Sequence, residues 1–189
     1  MRRFGPVMQP RIPNDSGTSF KKEAMMARKL VRNFLWVAFA IYVLVLLDVL
    51  LLGRGSGLGY GSFGNYLKYS VNLIPFKSVW EYVEDYMTRG SWILPLAIRN
   101  IAGNFVLFFP MGMILPCLFS KTQKFRRTVL IAVCTVLCVE AIQLFTRRGI
   151  FDVDDLILNV SGWLLGFAVL KIPFISNVLK RLSLVSRET

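Results

Sequence analysis

The chain contains no histidine in 189 residues, and it contains only three cysteines. Without an imidazole, the most common general base and the most common zinc ligand of proteins are both missing, which excludes histidine-dependent hydrolysis and a histidine zinc site. Cys117, Cys134 and Cys138 lie inside apolar stretches. We expect them to be small, buried hydrophobic residues and not a disulfide or a set of metal ligands.

Charged residues are also scarce, at 18% of the chain, whereas soluble domains carry about 25%. Hydrophobic residues make up 54% and occur in long runs without strand-like alternation, which is typical of membrane proteins. The last two runs are joined by about five residues, which predicts a helical hairpin. The sequence therefore predicts an all-α polytopic membrane protein, a four-transmembrane-helix bundle with spans at 34–52, 92–119, 128–145 and 151–170.

The connection after the first span, 53–91, begins with a glycine-rich stretch that is typical of a loop. The sequence from Asn72 to Lys77 follows, and then an amphipathic segment at 79–87. We expect a re-entrant or interfacial segment here, followed by a short helix. The second span is expected to break at its prolines and at one glycine, namely Pro95, Pro110, Gly112 and Pro116.

Basic residues dominate the charge, with 23 Lys and Arg against 11 Asp and Glu. With both termini in the cytoplasm, 16 of the 23 fall in inner segments and 6 in outer loops, in agreement with the positive-inside rule. Basic arms also occur in nucleic-acid-binding proteins, but charges that flank apolar spans are typical of membrane anchoring, so we expect no nucleic-acid partner. We divide the chain into a basic cytoplasmic arm that is partly disordered or interfacial, a transmembrane domain and a cytoplasmic tail, at 1–32, 33–172 and 173–189.

Polar side chains recur at helical spacing on three of the predicted spans, although one charge at the centre of a membrane helix costs about 3 kcal/mol. Spacings of three and four place them on one face of each helix, and we expect the three faces to converge on one cavity near the outer membrane surface. Gly162 and Gly166 on the fourth span would let another helix approach closely. The candidate ligand-binding residues are Asn72, Lys77, Arg99, Asn100, Asn104, Glu140, Gln143, Arg147, Arg148, Asp152, Asp155 and Asn159.

Three chemistries fit these residue types. Arginines would hold a phosphate or carboxylate through bidentate contacts. Two carboxylates that share a proton would supply a general acid or base, with Glu140 and Asp155 as the candidate catalytic residues. Oxygen ligands would bind a hard cation, Mg²⁺ or Ca²⁺, with Glu140, Asp152, Asp154 and Asp155 as the candidate metal ligands.

Structural roles are the alternatives for the same residues. Arg147 or Arg148 would pair with Asp152 and Asp155 to lock the hairpin. The asparagines would form hydrogen bonds between helices, and Asp154 would cap the fourth helix.

Several short motifs occur in the order seen in a known family. Residues 72–76 follow the pattern Asn-x-x-Pro-Phe, and 104–112 place Asn ahead of Phe-x-Pro-x-Gly. Residues 140–143 give Glu-x-x-Gln, and 148–162 give the series Arg, Asp-x-x-Asp, Asn, Gly. Over about residues 35–170 the chain thus resembles the VanZ-like family of bacterial membrane proteins. Spacing to Asp152 favours Arg148 over Arg147 as the family's arginine.

The resemblance implies a four-helix domain in the bacterial cell envelope and an association with resistance to the lipoglycopeptide antibiotic teicoplanin. We expect a protein of the bacterial cytoplasmic membrane, in contact with membrane lipid, that binds an anionic envelope component at an outer-leaflet polar cavity. That component would be a lipid-linked wall intermediate or a lipoglycopeptide. The alternative is an intramembrane hydrolase or transferase that acts on a lipid phosphate or peptide bond with the Glu and Asp cluster. A third function, lipid transport, would require an oligomer, which the sequence does not show.

Overall fold

The computed structural model describes residues 15–52 and 61–185, and the first part of the predicted disordered arm lies outside them. Helix α1 spans Asp15–Leu47 and continues as one turn of π-helix at Asp48–Leu52. Its helical structure passes through residue 32 without a break. The remaining long helices are α4, Leu94–Leu118, α5, Phe125–Phe145, and α6, Val153–Val169.

Short elements occupy the connections between the long helices. After the first span come α2, Phe63–Tyr69, strand β1, Val71–Asn72, and α3, Lys77–Arg89, so the expected short helix is present. Short 3₁₀ turns precede and follow α4, at Ser91–Ile93 and Ser120–Gln123. Strand β2, Phe151–Asp152, lies just ahead of α6, and α7, Pro173–Arg181, follows it.

Within the described residues, three stretches are long and apolar enough to cross a membrane: Met25–Leu50, Ser91–Leu118 and Phe125–Phe145. A fourth span is obtained if α6 and α7, which meet at a bend of 69°, are counted together. The prediction of an all-α polytopic membrane protein is confirmed. The fourth helix is shorter than predicted. Helix α6 has 17 residues, whereas a helix that crosses a membrane perpendicular to its plane needs about 20.

Helices α4 and α6 run parallel and pack with their backbones in contact. A Cβ atom on Gly162 would overlap the carbonyl oxygen of Phe105, and one on Gly166 would overlap that of Phe109. The close approach predicted for these two glycines is therefore confirmed. Gly112 on α4 likewise allows the close approach, because a Cβ atom there would overlap the carbonyl oxygen of Trp163.

The predicted break in the second span is wrong. Helix α4 continues through Pro110 and Pro116, and a proline lies in its first turn. Proline in the first turn loses no helical hydrogen bond, and in a membrane the interior prolines are tolerated because neighbouring groups satisfy the freed backbone. Gly112 marks a helix contact and not a break.

The core lies where α1, α4, α5 and α6 meet. Phe108 and Trp163 stack with ring centroids 6.3 Å apart, and Trp163 Nε1 donates to Thr128 Oγ1 at 3.3 Å. The expectation that all the cysteines are buried is wrong, since Cys134 and Cys138 are exposed on α5. An apolar residue on the outer face of a membrane helix gains its apolar surroundings from lipid, so it need not be buried in protein.

Both strands, α2 and α3 lie at one end of the bundle, where α4 and α6 begin and α1 and α5 end. β1 and β2 pair in parallel, with Val71 opposite Phe151 and Asn72 opposite Asp152. This small two-stranded sheet was not predicted from the sequence. It brings the segment after the first span against the turn between α5 and α6.

Candidate functional site

The carboxylate of Asp154 holds the start of α3. Its two oxygens accept hydrogen bonds from the backbone amides of Phe76, Ser78 and Val79, at 2.9 Å for Ser78. Helix α3 has no capping side chain of its own, and Phe76 ahead of it has a left-handed backbone with φ 63°. Because unpaired amides and the helix dipole favour an anion at a helix N-terminus, Asp154 supplies the missing cap from a neighbouring helix.

The structural alternative for Asp154, a solvated cap of its own helix, is wrong. Its side chain is 3% exposed and points to α3. The capping residue of α6 is Asp152, whose Oδ1 accepts from the amide of Asp154 at 2.9 Å.

Asp152 also joins the two strands through side chains. Asn72 Nδ2 donates to Asp152 Oδ1 at 3.1 Å and to Ser78 Oγ at 3.1 Å, and Ser78 Oγ donates to Asp152 Oδ2. Asp152 and Asp154 thus clasp the whole segment from Asn72 to Val79. We call this set of contacts the aspartate clasp. It brings the Asn-x-x-Pro-Phe motif into direct contact with the Asp-containing motif.

The C-terminus of α5 ends in a left-handed turn at Arg147, which has φ 55°. The amide of Arg148 donates to the Gln143 carbonyl at 2.8 Å, and the amide of Arg147 donates to the Leu144 carbonyl at 3.1 Å. This pair of bonds is a Schellman motif. The Arg147 guanidinium leaves the turn toward α2, where Nη1 donates to the Gly61 carbonyl at 2.9 Å.

Gln143 and Asn159 are fully buried inside the bundle. Gln143 Nε2 donates to the Leu50 carbonyl at 2.8 Å, which satisfies an acceptor in the π-helical turn that ends α1. Among the described residues, neither Gln143 Oε1 nor Asn159 Oδ1 has a hydrogen-bond partner. Glu140, one turn before Gln143, is 1% exposed.

A cleft of about 490 Å³ opens between α3, α4 and the turn before α6. In the part of the chain that the structure describes, its walls hold the carboxylates of five residues and no Lys or Arg. Asp155 Oδ1 accepts from Asn104 Nδ2, and Asn100 Nδ2 donates to the Tyr82 hydroxyl. The lining residues are Ser78, Val79, Glu81, Tyr82, Asp85, Asn100, Ile101, Asn104, Gly149, Ile150, Asp152, Asp154, Asp155 and Leu158.

An apolar groove of about 410 Å³ continues from the cleft along α3 and α4. Val79, Tyr82 and Ile101 line both spaces, so the groove and the cleft share a wall. The rest of the groove is formed by aliphatic and aromatic side chains, namely Val83, Tyr86, Leu94, Ala97, Ile98 and Ala102.

The structure brings only part of the predicted ligand-binding set to the cleft, namely Asn100, Asn104, Asp152 and Asp155. Asn72 is part of the aspartate clasp and does not line the cleft, and Lys77 is exposed and pairs with Glu81 at 3.6 Å. Arg99 is exposed, and no arginine within 15–52 or 61–185 lines the cleft. The remaining predicted residues outside its walls are Glu140, Gln143, Arg147, Arg148 and Asn159.

The predicted hard-cation site is not formed within the described parts of the chain, which hold no group of three or more carboxylates or thiolates suited to a metal ion. The physical reason is that the oxygens of Asp152 and Asp154 are committed to the clasp. Glu140, one of its candidate ligands, does not line the cleft.

The sequence did not indicate four polar cleft residues, namely Ser78, Glu81, Tyr82 and Asp85. Their spacing of three, one and three places them on one face of α3, a signal that was present in the amphipathic segment. Amphipathic spacing alone predicts an interfacial segment and does not indicate which helix its polar face contacts.

The fold defines a polytopic helical membrane protein with a polar cleft at one end of its bundle. The family model described as VanZ/LLP1 matches residues 39–175, and the chain belongs to this family. Comparison with curated proteins and with solved structures finds no significant match.

Proposed function

We propose that this protein binds an amphipathic component of the bacterial cell envelope, with the head group in the cleft and the hydrocarbon chain in the groove. One observation carries the proposal: a polar cavity and an apolar groove share Val79, Tyr82 and Ile101. Each has the volume of an ordinary ligand site. A molecule with one polar end and one apolar end fills both at once.

A lipid-linked wall intermediate and a lipoglycopeptide both have this two-part character, and the family's association with teicoplanin resistance makes either a candidate. The expected anion grip by arginines forms no part of this proposal, because no arginine of the described residues lines the cleft. The ligand's polar end would instead meet carboxylates, carboxamides and hydroxyls.

The distribution of basic residues supports an extracytoplasmic position for the cleft. The opposite end of the bundle carries the basic residues of the α1 start, of the turn between α4 and α5, and of α7. By the positive-inside rule that end faces the cytoplasm, which leaves the cleft at the outer leaflet with both termini inside.

Native mass spectrometry of the protein released from its own membrane tests the proposal. Ile101→Trp places a large ring at the wall shared by the two spaces, and Val106→Trp is the matched control on the exposed face of α4. We expect a defined amphiphile on the wild type and on Val106→Trp and its loss from Ile101→Trp. Equal retention on all three proteins would contradict binding at this site.

A second function, intramembrane hydrolysis or group transfer, is favoured by one contact. Ser78 Oγ donates to Asp152 Oδ2, and both residues line the cleft, so a hydroxyl nucleophile and a carboxylate base lie side by side. Glu140, the base predicted from the sequence, does not line the cleft. An enzyme of this kind would accumulate uncleaved amphiphile in Ser78→Ala, whereas a binding protein would retain the same molecule in Ser78→Ala and the wild type.

A further inference from the structure

We infer that the head group in the cleft carries a positively charged ammonium group, an inference that rests on the proposed function and names its ligand class. The cleft walls contain five carboxylates and, among the described residues, no cation. An anionic head group entering this space would be repelled by the carboxylates of its walls, while an ammonium group would be attracted.

Four of the five cleft carboxylates form two groups by their existing contacts, and the fifth, Asp155, accepts a hydrogen bond from Asn104. Asp152 and Asp154 are occupied by the aspartate clasp, which fixes the cleft floor. Glu81 and Asp85 on α3 are more exposed, with side chains 58% and 34% accessible. They are one turn apart on one helix face and therefore lie together at the cleft wall.

Glu81 and Asp85 have partners on the helix surface that leave room for a ligand. Lys77 Nζ lies 3.6 Å from Glu81 Oε1, and Arg89 Nε lies 3.2 Å from Asp85 Oδ1. Both are exposed i, i+4 pairs, which are weak. Each contact engages one carboxylate oxygen, and neither Lys77 nor Arg89 lines the cleft.

Tyr82 lies between these two carboxylates in the sequence and belongs to the wall shared with the groove. An aromatic ring next to carboxylates is a suitable environment for an ammonium group, which is attracted both by the ring face and by the negative charge. The apolar groove begins at the same residue. The geometry therefore fits an ammonium group that is joined to a single hydrocarbon chain.

Displacement of a fluorescent single-chain probe from the purified protein in neutral detergent tests the inference. The competitors are dodecylamine and dodecyl phosphate at equal mole fraction in the micelle, and the Ile101→Trp protein supplies the non-specific baseline. We expect the amine to displace the probe at a concentration about tenfold lower than the phosphate. The combined change Glu81→Gln and Asp85→Asn should weaken this preference without removing chain binding.

Glu84→Gln is the matched control, since it removes a carboxylate from α3 at a residue that does not line the cleft. It should keep the amine preference. A phosphate that competes as well as the amine, or a preference unchanged by the combined variant, would overturn the head-group inference and leave the proposed function standing. If neither competitor acts above the baseline, the proposed function itself fails and the inference with it.

Discussion

Asp154 belongs to α6, yet its carboxylate caps the N-terminus of α3, where it accepts a hydrogen bond of 2.9 Å from the amide of Ser78. This contact joins the segment after the first span to the last helix of the bundle. It also sets the position of one cleft wall, because Ser78 and Val79 line the cleft at the point where Asp154 holds them.

Asp154→Asn is expected to loosen α3. The amide replaces a charge-assisted acceptor of several backbone N–H groups by a neutral one and turns a donor toward them, which should cost about 2 kcal/mol. Trypsin should then cleave faster at Lys77 and Arg89, the two ends of α3. Glu84→Gln on the same helix should leave the cleavage rate unchanged. Equal digestion of Asp154→Asn and the wild type would show that the clasp does not hold α3.

Gly162→Ala is expected to disrupt the contact between α4 and α6. The added methyl group would overlap the Phe105 carbonyl, so the helices must separate, at a cost of about 1–3 kcal/mol or more. Gly103→Ala is the matched control, because a Cβ at that position has no neighbour within 4 Å. Thermal unfolding in detergent, followed by circular dichroism, should show a lower Tm for the first variant alone. A wild-type Tm for Gly162→Ala would contradict the packing.

Two substitutions at Arg147 separate its backbone role from its side-chain role. Both Arg147→Gly and Arg147→Ala lose the contact with the Gly61 carbonyl, but only glycine adopts the left-handed turn without strain. Arg147→Gly should therefore be more stable than Arg147→Ala by about 1 kcal/mol. Chemical denaturation of the two variants measures this difference, and equal stabilities would argue against the left-handed turn.

The orientation of the bundle can be tested by labelling single cysteines in a chain whose three native cysteines are replaced. Thr88→Cys lies at the end of the bundle that holds the cleft, and Lys124→Cys lies at the basic end. A membrane-impermeant maleimide should label the first in intact cells and the second only after the membrane is opened. The reverse pattern would place the cleft in the cytoplasm.

The helices were predictable because long apolar runs can cross a membrane only as helices or closed barrels. The close contact at Gly162 was predictable from helical spacing and residue size. The cap on α3 was not predictable from the sequence. Ser78 and Asp154 are far apart in the chain, and the pairing of β1 with β2 brings them together.

The candidate site was predicted in part. Helical spacing correctly grouped Asn100 with Asn104 and Asp152 with Asp155, and all four line the cleft. Helical spacing could not distinguish residues that face the cleft from residues whose polar groups form hydrogen bonds inside the bundle. Gln143 lies on the polar face of α5, but its side chain donates a hydrogen bond to the Leu50 carbonyl in the π-helical turn. No sequence pattern predicts that turn.

The most direct test of amphiphile binding in the cleft and groove is photo-crosslinking with a single-chain amine that carries a diazirine at the end of its hydrocarbon chain. Peptide mass spectrometry of the adducts then locates that chain. The account predicts adducts on the groove walls, in the α3 peptide at 79–86 and the α4 peptide at 94–102, and their loss in Ile101→Trp. Adducts spread over the outer faces of α1 and α5, unchanged in Ile101→Trp, would contradict it.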